Sequence, residues 1–177
     1  MTNPSGADHS LLRVHRVLRP GFGTEAAVYG TILVSGLIAV TSTKTETSAL
    51  VLIKVAATVI IFWGAHIYAG TVARLGDRTG SGGHVGLRSA LGQSVKHSFG
   101  MLTSAAVPAL ILLAGTTRLI PDEIANDVAL WSSVVILAFL GYVAFVIRGS
   151  SIPIRIAGAV VTASFGLAFV GLKAIVH

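Results

Sequence analysis

Glu25 and His66 are the residues whose types and spacing are most suited to proton chemistry. Both lie in long apolar stretches, Glu25 near the start of the first and His66 near the end of the second. The turn between these stretches is centred between residues 45 and 46, and the two residues lie equally far from it along the chain. An antiparallel helical hairpin would hold them at one depth. A carboxylate beside an imidazole in a low dielectric can hold or pass a proton.

Two aromatic residues extend this candidate site. Tyr29 lies one helical turn from Glu25 on the same face, and Trp63 precedes His66 by three residues. A structural interpretation stays open for all of them. Glu25 also suits the first turn of a helix, where a carboxylate meets the positive end of the helix dipole. Trp63, His66 and Tyr68 also suit an aromatic belt at a membrane interface.

Lys54 and Pro108 are the other unusual residues inside apolar stretches. Helical side chains lean towards the N-terminus, so Lys54 is expected to reach the membrane interface and pair with Glu46 or with the acidic segment 122–127. A role at a pore or substrate path is the alternative. Pro108 removes a backbone hydrogen bond in the middle of the third stretch, which predicts a bend, with a gate as the alternative. The nearby hydroxyls of Thr103 and Ser104 are candidate partners for the freed carbonyl.

The elements that must position these residues are membrane-spanning helices. The chain has 177 residues, of which 53% are hydrophobic and 11% charged, whereas about 25% of residues are charged in an ordinary soluble domain. A span needs about 20 mostly apolar residues. Five stretches qualify, at about 24–42, 48–70, 99–120, 127–147 and 152–176. The sequence therefore predicts an all-α integral membrane protein, with a single five-helix transmembrane domain over residues 24–177.

Charge distribution predicts the orientation of this bundle. Basic residues dominate the N-terminal segment and alternate connections: Arg13, Arg16, Arg19, Arg74, Arg78, Arg88, Lys96, Arg148 and Arg155. On the other connections, basic and acidic residues are mixed: Lys44, Glu46, Arg118, Asp122, Glu123 and Asp127. The positive-inside rule places the N-terminus in the cytoplasm and the C-terminus outside, as five spans require. We expect a multi-pass protein of the cell (plasma) membrane.

Two segments outside the spans are predicted to be short amphipathic helices on the cytoplasmic side. They are Asp8–Arg19, within the basic segment 1–23, and Val85–Phe99. Both combine an apolar face with basic residues, which favours binding to an anionic inner leaflet, although short solvated helices are the alternative. The net charge of +6 is thereby explained by lipid rather than nucleic acid. The glycine-rich residues 76–86 between spans lack the pattern of a phosphate-binding loop.

Several chemistries have no basis in the sequence. The absence of cysteine excludes disulfides, thiolate metal sites and thiol catalysis. No span contains a two-histidine metal-binding spacing or a hydrolase motif. We therefore expect neither an enzyme nor a protein that holds a metal or another cofactor. Small residues spaced by four, as at Gly158, Thr162 and Gly166, predict close helix packing within the chain or between copies.

The pattern of Tyr29-Gly30, Phe62-Trp63 with His66, and Pro108 resembles that of bacterial relatives of the lysosomal potassium channel. The Phe-Ser-Asp-Gly signature of that family is absent, and a sixth span is not visible. The resemblance implies a channel.

Two classes of function follow from the sequence. In a small oligomeric ion or proton-linked channel or transporter, Glu25, Tyr29 and His66 would handle protons or gate, and Lys54 would lie near the outer mouth. The alternative is a non-transporting accessory or scaffold subunit whose basic loops contact lipid or a partner.

Overall fold

The protein is helical throughout the residues that the computed structural model describes, which are 24–42, 46–75 and 86–176. The helices are α1 (Thr24–Thr41), α2 (Ser48–Leu75), α3 (Leu87–Thr116), α4 (Asp122–Ile147) and α5 (Ile152–Val176). No strand occurs in these ranges. The predicted all-α class is therefore confirmed for the described part of the chain. The predicted amphipathic helix at Asp8–Arg19 lies outside it.

Four of the helices have the length and apolar composition of membrane spans. They are α2 to α5, and each is at least 24 residues long. The remaining helix, α1, is apolar but has only 18 residues, which corresponds to about 27 Å, slightly less than a typical hydrocarbon core of about 30 Å. The fold is thus that of a helical membrane protein with four helices of spanning length. A fifth crossing by α1 stays a prediction.

Helix α1 packs mainly against α3 rather than against α2, its neighbour in the chain. A Cβ atom placed on Gly30 would lie only 2.7 Å from Cγ of Met101, which shows how closely the two backbones approach. Further along, Val34 and Ile38 of α1 enter the apolar core with Ala105 of α3. The small side chains on this face of α1 explain its preference, because they allow the closest contact between helices.

Helix α3 differs from the prediction, because residues 85–99 do not form a separate interfacial helix. A single helix begins at Leu87 and continues to Thr116. One face of it is buried along the whole length, and its members are mostly small: Ala90, Ser94, Ser98, Met101, Ser104, Ala105, Pro108, Leu112 and Gly115. This uninterrupted face packs against the bundle on both sides of the predicted boundary. Packing of this face within the bundle therefore accounts for the continuity of the helix across the predicted boundary.

Helices α4 and α5 form a closely packed antiparallel hairpin. Gly141 of α4 lies against Gly158 and Thr162 of α5, and Gly166 lies against Val134. The small residues of α5 that were predicted to mediate packing therefore do so within the chain.

The charged residues lie towards the two ends of the bundle, and the two ends differ in net charge. We call the end where α2 finishes and α3 begins the basic end, and the opposite one the acidic end. The described charged residues of the basic end are Glu25, Arg74, Arg88, Lys96, Arg148 and Arg155. Those of the acidic end are Glu46, Lys54, Arg118, Asp122, Glu123, Asp127 and Lys173. The charge asymmetry expected from the sequence is therefore present in the folded chain.

Candidate functional site

The imidazole rings of His66 and His97 lie side by side between α2 and α3, near the basic end. Their centroids are 6.2 Å apart, and the ring planes differ by only 15°. The antiparallel register of the two helices produces this contact. Gly115 faces Ser48 at one end of the helix pair. Moving 18 residues forward from Ser48 on α2 and 18 residues back from Gly115 on α3 leads to His66 and His97. We call these two residues the imidazole pair.

Hydrogen bonds fix the helices around the imidazole pair. Two turns beyond His66, Nη1 of Arg74 donates to the carbonyl of Gly70 at 2.9 Å and to Oγ of Ser94 at 3.0 Å. This bond joins α2 to α3 at the basic end. One turn before His66, Nε1 of Trp63 is buried and has no acceptor among the described residues. The imidazole pair therefore lies between a guanidinium that is bonded across the helices and an indole N–H that is free to donate.

Glu25 lies level with the imidazole pair but is not bonded to it. Helices α1 and α3 run in the same direction, and Gly30 faces Met101. Counting back five residues on each helix places Glu25 level with Lys96, beside His97. The Glu25 side chain is exposed, and the described residues show no ion pair between it and His66. The imidazole of His97 is the group that the structure brings to His66, and proton exchange with Glu25 stays a prediction.

Sequence reasoning missed His97 because it assigned this residue to an interfacial helix rather than to a bundle helix. The signal that could have identified His97 was the antiparallel register of α2 against α3. Once α3 is extended back to Leu87, His97 falls opposite His66.

Tyr29 lines an apolar groove that opens outwards between α1, α2 and α5. The groove has a volume of about 500 Å³, and Tyr29 itself is 60% exposed. Its other lining residues include Gly36, Phe62 and Phe169. The groove exists because α1 packs on α3 and leaves part of its face towards α2 uncovered.

Lys54 forms the ion pair that the sequence predicted. Its Nζ lies 2.8 Å from Oε1 of Glu46 at the acidic end. The second oxygen of this carboxylate, Oε2, is buried and has no hydrogen-bond partner among the described residues. Asn126 of α4, which sequence reasoning treated as part of an acidic connection, points its Nδ2 at the carbonyl of Glu46, 3.5 Å away.

Pro108 lies on the buried face of α3, and the helix continues through it. The hydroxyls of Thr103 and Ser104 donate to the carbonyls of Gly100 and Met101. They do not reach the carbonyl of Ser104, four residues before Pro108, which loses its helical donor. The bend or gate predicted at Pro108 therefore receives no support from these hydroxyls and stays a prediction.

Two further observations define what the site can be. Within the described ranges, no three histidine, cysteine, aspartate or glutamate side chains are placed to hold a metal ion together. No family model, no curated protein and no solved structure matches the chain. Function must therefore be inferred from the imidazole pair and its surroundings.

Proposed function

We propose that this protein is a small proton-linked channel or transporter of the cell membrane that works as a homo-oligomer. The proposal rests on one observation, the imidazole pair between two helices of spanning length. Histidine is the side chain that ordinarily exchanges a proton near neutral pH. Ionisable groups within membrane spans are costly, and they commonly mark proton or ion pathways.

Proton loading of the imidazole pair would change the contact between α2 and α3. One proton on the pair is compatible with parallel rings, but two protons place like charges on facing helices. Arg74 and Lys96 add positive charge on the same two helices, while Glu25 on α1 is the carboxylate at this level. A second proton therefore favours separation of the helices or transfer of the proton to Glu25. Separation of the helices would link proton occupancy to movement of α2.

Packing within one chain favours a pathway between copies. The helices meet through small residues, as at Gly30 against Met101 and Gly141 against Gly158. Large apolar side chains instead face outwards on every helix, including Val40, Ile61, Leu110, Phe139 and Val160. Lipid or further copies of the chain can cover these surfaces.

The orientation follows from the charged ends. With the basic end on the cytoplasmic side, Arg74, Arg88 and Lys96 meet the anionic inner leaflet. If α1 is the fifth span, the N-terminus lies inside and the C-terminus outside.

The second candidate is a non-transporting accessory or scaffold subunit. Its support is the groove of about 500 Å³ between α1, α2 and α5, an apolar surface that a partner helix can fill. Both candidates predict association in the membrane, but only the first predicts proton flux that depends on the imidazole pair.

Proton flux into liposomes tests the proposal. Purified protein is reconstituted with a pH-sensitive dye inside, and flux is started by an imposed pH gradient. His66→Ala and His97→Ala are each expected to reduce the rate at least about tenfold, since a positioned proton donor or acceptor typically contributes 10²–10⁴-fold. Glu25→Gln tests the role of the carboxylate in the same assay.

Gln93→Ala is the matched control. Gln93 is exposed on α3 one turn before His97, and its amide donates a hydrogen bond to Oγ of Ser89 on the same helix. This variant should retain wild-type flux. Wild-type liposomes that pass neither protons nor monovalent cations would exclude the transport function and favour the subunit alternative. Flux that is unchanged in both histidine variants would exclude the imidazole pair as the site.

A further inference from the structure

Two buried oxygen atoms at the acidic end have no hydrogen-bond partner among the residues that the structure describes, and we propose that they bind a small monovalent cation of the sodium class. The atoms are Oε2 of Glu46 and Oδ1 of Asn126. We call Glu46, Ser48, Asp122 and Asn126 the oxygen site. It is separate from the imidazole pair and does not depend on the function proposed for that pair.

Asn126 provides the strongest observation. The residue is only 2% exposed, and its Nδ2 points at the Glu46 carbonyl. This contact favours this amide orientation over the opposite one, because exchanging the nitrogen and oxygen would place two acceptors against each other. The free atom is thus Oδ1. A buried acceptor without a partner costs about 1–3 kcal/mol, so a native protein normally supplies the missing group.

The chemistry of the two atoms limits what the missing group can be. Carboxylate and amide oxygens only accept, so the ligand must be a cation or a donor of hydrogen bonds. Hard cations prefer carboxylate, amide and backbone carbonyl oxygens. The Glu46 segment is not helical, and it also presents its backbone carbonyl here. The oxygen site therefore offers the ligand types that sodium takes in proteins.

The local charge favours a monovalent ion over a divalent one. Lys54 already neutralises the Glu46 carboxylate through Oε1. Asp127 is paired with Lys173 at 2.7 Å, and Asp122 accepts the backbone N–H of Ser48 through Oδ1 at 3.0 Å. The remaining negative charge is small.

The frame of the oxygen site is held closely together. Ser48 bonds to both the side chain and the backbone carbonyl of Asp122. Gly115 packs against Ser48 and Ala125 so tightly that no side chain fits there. The starts of α2 and α4 and the end of α3 are thus fixed. A cation between Glu46 and Asn126 would join the connection before α2 to α4 and stabilise the folded protein.

Thermal unfolding in defined salts tests this inference. Purified protein in detergent is heated in sodium chloride, potassium chloride or N-methyl-D-glucamine chloride at constant ionic strength. Sodium is expected to raise Tm saturably, by about 5 °C or more at a hundredfold excess over Kd. Binding of radiolabelled sodium to the same samples should saturate over the same concentration range.

Charge-matched variants separate specific binding from screening. Glu46→Gln and Asp127→Asn each remove one negative charge at the same end, but only Glu46 belongs to the oxygen site. Glu46→Gln should abolish the sodium response, whereas Asp127→Asn should retain it. Asn126→Leu keeps the approximate side-chain size but removes the amide oxygen, so it should also abolish the sodium response.

Three results would overturn the inference. An equal Tm in all three salts would show that water, not a cation, satisfies the two oxygens. Equal loss of the response in Glu46→Gln and Asp127→Asn would reduce it to general electrostatics. An unchanged response in Asn126→Leu would exclude Asn126 as a ligand. None of these results bears on proton flux through the imidazole pair, which lies near the other end of α2.

Discussion

The chemically distinctive side chains of this protein occupy opposite halves of α2. Lys54 lies in its first half and His66 in its second half, twelve positions apart, which corresponds to about 18 Å along the helix. The two sites therefore do not interact through direct contact. Any coupling between them must pass through a movement of α2 as a body.

Arg118 adopts a backbone conformation that disfavours any residue except glycine. Its φ is 59°, and it follows the C-terminus of α3, where Leu119 donates its N–H to the Ala114 carbonyl. The same bonding pattern follows α4, but there a glycine, Gly149, takes the left-handed position. Left-handed backbone costs a residue with a Cβ atom about 1–2 kcal/mol.

Replacing Arg118 with glycine should therefore stabilise the protein. Arg118→Ala removes the same charge but keeps the Cβ atom, so it is the reference. We expect Arg118→Gly to have a free energy of unfolding about 1 kcal/mol higher than Arg118→Ala, because glycine relieves the strain. Denaturant unfolding in detergent measures the difference. Equal stabilities would show that the turn holds no strain at this position.

The sequence was a better guide to which residues are chemically unusual than to which residues they contact in the fold. The Lys54–Glu46 pair was predictable, because both residues are near each other in the chain and helix geometry directs the lysine towards the turn. The partner of His66 was not predicted, since His97 is 31 positions away and depends on the register of α2 against α3. Asn126 was missed for a related reason. Its burial depends on the Glu46 segment, which packs against α4 only in the folded chain.

At the level of helices, the nature of the solvent decides which face packs inwards. Leu87, Leu91, Val95 and Phe99 repeat every four residues, and all four are exposed on α3. The opposite, buried face consists largely of alanine and serine. In water the large side chains would be buried. In lipid they can remain outside, and small residues permit close approach of the helices. The four-residue period was thus real, but it did not mark a separate interfacial helix.

Two glycines in bundle helices should respond oppositely to substitution. A Cβ atom on Gly30 would come within 3 Å of Met101, including its backbone carbonyl, whereas a Cβ atom on Gly92 of α3 would meet nothing within 4 Å. Gly30→Ala is therefore expected to destabilise the fold by about 1–3 kcal/mol through overpacking. Gly92→Ala should stabilise it by about 0.5–1 kcal/mol, because alanine is the better helix former.

Unfolding of both glycine variants in the same detergent provides the comparison. If Gly30→Ala is as stable as Gly92→Ala, α1 does not pack on α3 at this distance. That result would also remove the argument that Glu25 lies level with His97, because this argument depends on the contact between Gly30 and Met101.

At the scale of the whole molecule, the exposed apolar surface between two charged ends matches the apolar core and polar faces of a lipid bilayer. Ile61 is 68% exposed and Leu110 is 64% exposed. Exposure of such large apolar side chains would be unfavourable in water but not in lipid. The charges lie at the two ends, with arginine dominating one of them. Composition was sufficient to predict this arrangement. Composition did not establish a fifth span, because α1 is the shortest of the described helices.

The number of crossings can be determined by cysteine labelling, for which this chain is well suited because it contains no cysteine. Single cysteines at Ser5, Thr47, Ser89 and Glu123 report in turn on the N-terminal segment, the start of α2, the start of α3 and the start of α4. A membrane-impermeant maleimide is applied to intact and to permeabilised cells. Five spans with an inside N-terminus predict that only Thr47→Cys and Glu123→Cys react in intact cells.

A different labelling pattern identifies which element was misassigned. If Ser5→Cys and Thr47→Cys react from the same side, α1 does not cross, and the bundle has four spans. The lengths of α2 to α5 would then still be satisfied, but Glu25 would face the same compartment as Glu46. Glu25 would then lie too far from His66, which is towards the opposite end of α2, to exchange a proton with it directly. The transport proposal would then have to rest on His66 and His97 alone, so labelling at Ser5 and Thr47 should precede the flux measurements on Glu25→Gln.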